Sequence, residues 1–127
     1  MKLLLDTHTF LWFIEDSPRL STEAKNLLES DTDLLISVAS LWEIAIKINI
    51  GKLTLAQSFE AFIPAQIVKN AIELLPIAIE HLAVVTSLPL HHRDPFDRLL
   101  IAQAMVEQLP LVSIDEKFDP YNIKRVW

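Results

Sequence analysis

The 127 residues include no cysteine. Disulfides, thiol nucleophiles and thiolate metal sites are excluded, and a reducing compartment suits the chain. Glycine occurs once, at Gly51, so the glycine-rich loops that cradle phosphates in nucleotide-binding folds cannot be built. No Gly-x-Ser-x-Gly turn is present to carry a serine nucleophile. Basic residues are outnumbered, 11 Lys and Arg against 17 Asp and Glu, for a formal net charge of −6. That argues against passive phosphate binding, which rests on Lys and Arg. It leaves room for a nucleic-acid enzyme, because a cation bound among acids reverses the local field. No uncharged apolar stretch approaches the roughly 18 residues that span a bilayer. The apolar start Leu3-Leu4-Leu5 is too short for a secretory signal. The expectation is one domain over residues 1–127, cytoplasmic and without membrane association.

Apolar residues are plentiful, at 51% of the chain. Some of that surface is expected to meet a partner. Short apolar runs at 2–5, 34–36, 72–75 and 111–114 read as strands, with a possible edge strand at 124–127. Helical spacing covers 7–15, 21–29, 37–49, 57–69 (bent or interrupted near Pro64), 79–88 and 94–108. Residues 31–33 read as a turn, and Gly51 as the stop of the third helix. Uniformly apolar strands alternating with helices indicate an α/β fold whose parallel sheet is covered on both faces. Such sheets bind ligands outside the carboxyl ends of their strands.

Five carboxylates stand where apolar segments end: Asp6, Glu43, Asp94, Asp97 and Asp115. Acids beside a core need compensation, and a hard divalent cation such as Mg²⁺ or Mn²⁺ compensates several at once. Each also has an ordinary reading. Asp94 suits a helix N-cap before Pro95, Asp97 suits the first turn, and Asp94 could pair with Arg98. Glu43 could pair with Lys47 on a narrow polar stripe, or Lys47 could face a phosphate. Asp6 could cap a helix and Asp115 could be a turn acid. His91-His92-Arg93 reads as a solvated loop, because no helical histidine pair accompanies it. Phe10, Trp12, Phe13 and Trp42 read as core or interface. Three functions compete: a hydrolase that activates water with metal, a non-catalytic binding module, and a metal-dependent phosphatase. The last would want an aspartate two residues after Asp6, where His8 stands.

Leu5-Asp6-Thr7-His8 followed by Leu11-Trp12 resembles the opening of the PIN-domain ribonucleases, and more closely of the VapC toxins of type II toxin–antitoxin pairs. The segment from Ser37 to Lys47 is similar to their second acidic segment. His92-Arg93-Asp94-Pro95-Phe96-Asp97-Arg98 with Leu99-Leu100-Ile101-Ala102-Gln103-Ala104 is similar to their third, in its long form. Leu111 to Asp115 falls at the fourth, with Ser113 where many members have threonine. The resemblance implies a PIN-like fold, a central parallel sheet of about four or five short strands flanked by helices. It implies metal-dependent endoribonuclease activity, RNA being hydrolysed by water activated at Mg²⁺ or Mn²⁺. Asp6, Glu43, Asp97 and Asp115 correspond to the family's catalytic and metal-binding acids, and Asp94 is an additional metal-ligand candidate of this sub-group. It further implies a homodimer and a VapB-like antitoxin partner, with DNA met only through that antitoxin.

Overall fold

Leu3, Leu4 and Leu5 have no exposed surface in the computed structural model, which describes residues 1–127. A segment apolar at every position is stable only when both faces of its sheet are covered. The chain meets that demand with the order β1 (Lys2–Leu5), α1 (Thr7–Ile14), α2 (Thr22–Glu29), β2 (Asp33–Ser37), α3 (Val38–Asn49), α4 (Phe59–Lys69), β3 (Glu73–Leu75), α5 (Ile79–Val85), α6 (Pro95–Glu107), β4 (Leu111–Val112) and β5 (Arg125–Val126). A 3-10 turn, Glu116–Phe118, lies between the last two strands.

The strands form one sheet in the order β3-β2-β1-β4-β5, and every pairing is parallel. Alternate residues feed opposite cores. Leu3, Leu5, Leu34 and Ile36 pack with Phe10, Ala24, Leu28 and Ile44 on one face. Leu4, Leu35 and Leu111 pack with Leu100, Ile101 and Phe118 on the other. Each fully buried leucine contributes about 1.5–3 kcal/mol, so the register of the central strands is strongly specified. The chain first builds outward from β1 to β2 and β3, then returns to β4 on the opposite side of β1. That reversal opens a crevice at the carboxyl ends of β1 and β4.

The expected α/β fold with its parallel sheet is present. Some boundaries differ. Asp33 belongs to β2 rather than a turn, its N–H donating to the Met1 carbonyl at 2.8 Å. The helix expected over 79–88 ends at Val85, and Pro64 lies within α4 without interrupting it. The strand expected over 111–114 stops at Val112, and the edge strand holds only residues 125–126. Gly51 does stop α3. At φ +78°, its N–H donates to Ile48 O at 3.1 Å and Lys52 N–H donates to Lys47 O at 2.8 Å. This double closure favours a left-handed residue. Asp16 and Ala71 supply the same turn after α1 and α4, at φ 51° and 52°, without being glycine. No helix is long and apolar enough to cross a membrane.

Candidate metal centre

The end of β1 delivers Asp6 to the crevice. Its backbone is extended, so the side chain can cap α1, and Oδ1 accepts from Thr9 N at 2.7 Å. Oδ2 accepts from the Ser113 hydroxyl, which arrives from the end of β4. Both oxygens of this buried carboxylate are therefore held. Glu43, on α3, is only 7% exposed. Its Oε1 accepts from Thr7 Oγ1 at 2.7 Å, and Oε2 faces Lys47 Nζ at 2.9 Å. The helical Glu43–Lys47 pair exists, yet Thr7, next to Asp6, ties the same carboxylate to the crevice.

Asp94 is the N-cap of α6, its Oδ1 accepting from Phe96 N at 2.9 Å and Asp97 N at 3.2 Å, with Pro95 in the first turn. It makes no pair with Arg98. That guanidinium instead donates to the carbonyls of Leu88, Pro89 and His92, at 3.0, 2.9 and 3.1 Å. Asp97 is three residues inside the helix and caps nothing. Its Oδ2 is 3.1 Å from His92 Nε2. Asp115 caps the 3-10 turn through Oδ1, which accepts from Lys117 N at 3.0 Å, while Oδ2 lies 3.2 Å from the same His92 Nε2. The Ser113 hydroxyl accepts from Asp115 N at 3.0 Å, so one side chain links Asp6 to Asp115.

His92 departs from the solvated loop expected for it. The segment is a loop, but His92 is buried: its N–H donates to the Tyr121 hydroxyl at 2.7 Å, and its ring lies 5.4 Å from that of Phe118. His92 Nδ1 accepts from Asp94 N at 3.3 Å. The ring proton therefore resides on Nε2, which donates toward Asp97 and Asp115. No local signal announces this, because the groups that bury His92 come from residues 118 and 121. His91 remains exposed.

Asp97 carries the electrostatic signature. Its carboxyl is pushed up to about 8, first by burial and then by the charges of Asp94, Glu43, Asp6 and Asp115. Every one of the other candidate acids thus acts on a single carboxyl. Beside it opens a cleft of about 490 Å³ with no hydrophobic lining, where Arg93 and Lys117 stand among Asp94, Asp97 and Asp115. The donors are carboxylate oxygens, the chemistry Mg²⁺ and Mn²⁺ prefer. His92 Nε2 and one oxygen each from Asp97 and Asp115 lie within 4.8 Å of one another, close enough to surround one ion. As found, His92 donates there rather than offering a lone pair, so the acids are the ready ligands.

A family model described as the PIN domain matches residues 3–124. The chain belongs to the PIN domain family. Solved structures similar to this PIN domain include VapBC2 from Rickettsia felis bound to a promoter DNA fragment, at 16% identity over 99% of this chain and 98% of that one, with a TM-score of 0.74. DNA-bound VapBC from Salmonella typhimurium matches at 19% identity over 99% and 97%, with a TM-score of 0.70. FitAcB from Neisseria gonorrhoeae matches at 15% identity over 100% and 97%, with a TM-score of 0.68. At these identities the likeness carries the fold. No match was found among curated proteins. In this PIN domain the carboxyl edge of the sheet places Asp6, and helices α3 and α6 bring Glu43, Asp94 and Asp97 to it. Asp115 lies three residues beyond the end of β4. Ser113 and His92 join this centre without a local sequence signal that marks them as part of it.

Proposed function

We propose that this PIN domain is a metal-dependent endoribonuclease and the toxin of a type II toxin–antitoxin pair. The observation that carries the proposal is Asp97, a carboxyl held up at about 8 by burial and by four neighbouring acids. Such a group costs the metal-free fold stability unless a cation compensates it. Capping explains Asp6, Asp94 and Asp115 without any metal, which is what a non-catalytic binding module would need. Capping explains neither Asp97 nor Glu43, and this separates the two readings.

Asp6, Glu43, Asp97 and Asp115 would hold Mg²⁺ or Mn²⁺, with Asp94 as a further candidate ligand. Bound there, the cation would supply Lewis acidity at the scissile phosphodiester. The chain's own groups do the positioning. Thr7 aims Glu43, Ser113 aims Asp6 and Asp115, and Asp94 fixes the helix turn that presents Asp97. His92 holds the Asp97 and Asp115 carboxylates toward one point. Lys47 offers a positive charge next to Glu43 for a phosphate oxygen.

The similarity to VapBC and FitAcB structures supports an antitoxin partner. Val38, Trp42, Ile46 and Ile50 are exposed one helical turn apart along α3 and just past its end. That apolar stripe supports a homodimer.

The test is cleavage of RNA by purified protein with Mg²⁺ or Mn²⁺, with chelator, and beside a small phosphomonoester. Cleavage of RNA alone, stopped by chelator, is expected. Full cleavage in excess chelator would sink the metal mechanism, and hydrolysis of the phosphomonoester would favour a phosphatase. Expression of the chain alone should arrest growth, with relief by its antitoxin. Unimpaired growth with folded protein present would count against the toxin role.

A further inference from the structure

A second cleft, of about 270 Å³, lies between α1, the segment after it and the end of α3. His8, Trp12, Glu15, Arg19, Lys47 and Lys52 line it. Its charge is opposite to that of the chain. Three cations face one acid here, whereas the protein as a whole carries −6. Lys47 is already engaged with Glu43, but Arg19 and Lys52 are exposed and take part in none of the protein's ion pairs. The cleft also has an aromatic wall. The His8 and Trp12 rings are 5.7 Å apart, and Trp127 meets Trp12 edge-on at 5.9 Å.

The cleft borders the metal centre. His8 follows Thr7, which binds Glu43, and Lys47 pairs with that same Glu43. The other cleft is lined by Asp94, Asp97 and Asp115 themselves with Arg93, Lys117, His91 and His92, and it has no tryptophan and no apolar side chain. The centre is thus flanked by a basic cleft with a tryptophan wall, while its own cleft holds three of the candidate acids. Single-stranded nucleic acid is held by this combination, cations following the backbone and aromatic rings taking bases.

We propose that the His8–Trp12 cleft binds the single-stranded RNA next to the scissile phosphate, one base on the aromatic wall and the flanking phosphates on Arg19 and Lys52. The proposal rests on the nuclease reading above and assigns it a subsite on the α1 side of the acids. An acidic peptide would suit the cations equally, but it would have no need of a tryptophan wall beside the proposed phosphodiester-cleaving centre.

The test uses the full chain and a fluorescein-labelled ten-nucleotide single-stranded RNA, with anisotropy measured across a salt series. For Arg19→Ala/Lys52→Ala, loss of two phosphate contacts should flatten the slope of log K against log salt by about 1.4, at about 0.7 per contact. Trp12→Leu should weaken binding by about five- to a hundred-fold, with Trp12→Phe retaining most of it. Thermal melting of each variant checks that the fold survives. RNA that is cut by the protein, yet binds the double variant with unchanged affinity and slope, overturns the cleft and leaves the nuclease reading standing. RNA that binds here without being cut supports the cleft and sinks the nuclease reading. A ten-residue glutamate peptide is the second probe. If the double variant loses this peptide and keeps RNA, the cleft is a protein-docking site and the proposal is overturned.

Discussion

The two halves of the acidic centre are built on opposite principles. On the β1 and α3 side, every carboxylate oxygen has a partner: Thr9 N and Ser113 on Asp6, Thr7 and Lys47 on Glu43. On the α6 side, Asp97 has one neighbour, His92, which it shares with Asp115. The first half is part of the scaffold, and its acids remain placed whatever the crevice contains. The second half concentrates the electrostatic cost on one carboxyl, and this is the half a bound cation would change most. A carboxylate fully satisfied by the fold adds order to a site, whereas one left under-satisfied adds affinity for a positive charge.

Asp97→Asn breaks the comparison most severely. It keeps the shape and removes the charge, so cleavage should fall by more than about 100-fold while the circular dichroism spectrum is unchanged. Normal cleavage would show that the α6 half is not catalytic.

The next effect is on stability against pH. The Asp97 carboxyl has a folded value raised to about 8, against an unfolded value of about 4. Between those values the folded state binds the extra proton. This carboxyl's contribution to the stability of the metal-free protein is therefore fully present below about pH 4 and is lost as pH rises through about 8. Urea midpoints should fall across that window, and Asp97→Asn should flatten the fall. Mg²⁺ or Mn²⁺ must displace the same proton, so their affinity should rise with pH over the same range. A midpoint independent of pH in both proteins would remove the electrostatic distinction between the halves.

Asp94 tests whether a cap can be separated from a ligand. Asp94→Ala should cost about 1 kcal/mol in the urea midpoint, and Asp94→Asn should be nearly neutral, since asparagine caps as well. If Asp94→Asn loses as much cleavage as Asp97→Asn, Asp94 is a site residue and the under-satisfied half is larger than drawn.

The smallest effect is a control remote from both halves. Ala71 adopts a left-handed conformation after α4, and Ala71→Gly should raise stability by up to about 1 kcal/mol. It should leave metal dependence untouched, and a changed response to Mg²⁺ would mean that the halves are sensitive to global stability rather than to their own contacts.

The scaffold half was the more legible from the residues alone. Asp6 could be placed because Leu3-Leu4-Leu5 is apolar without alternation, which identifies a buried strand and therefore its end. Glu43 stood out because its helix offers almost no polar stripe. Asp94 and Asp97 were visible as a helix start, but their capping and site readings could not be separated until the side chains were placed. His92 is buried rather than solvated because Phe118 and Tyr121, more than one element away along the chain, cover it. Ser113 was visible as a residue and not as a link, since hydroxyl direction depends on the β1–β4 pairing. The overlong expectation for β4 has a similar cause: Ile114 continues the apolar pattern but is exposed beyond the last ladder pair.

Because all the strands run the same way, Met1 and Trp127 lie beyond opposite ends of the strands. Met1 precedes β1 at the end away from the acids, while Trp127 follows β5 at the near end and touches Trp12 beside the basic cleft. The molecule therefore has a handle end and a working end. A fluorophore, affinity tag or surface tether attached through Met1 would leave both clefts open. The same attachment through Trp127 would stand beside the His8–Trp12 cleft, and an assay built on it would report obstruction as a loss of function.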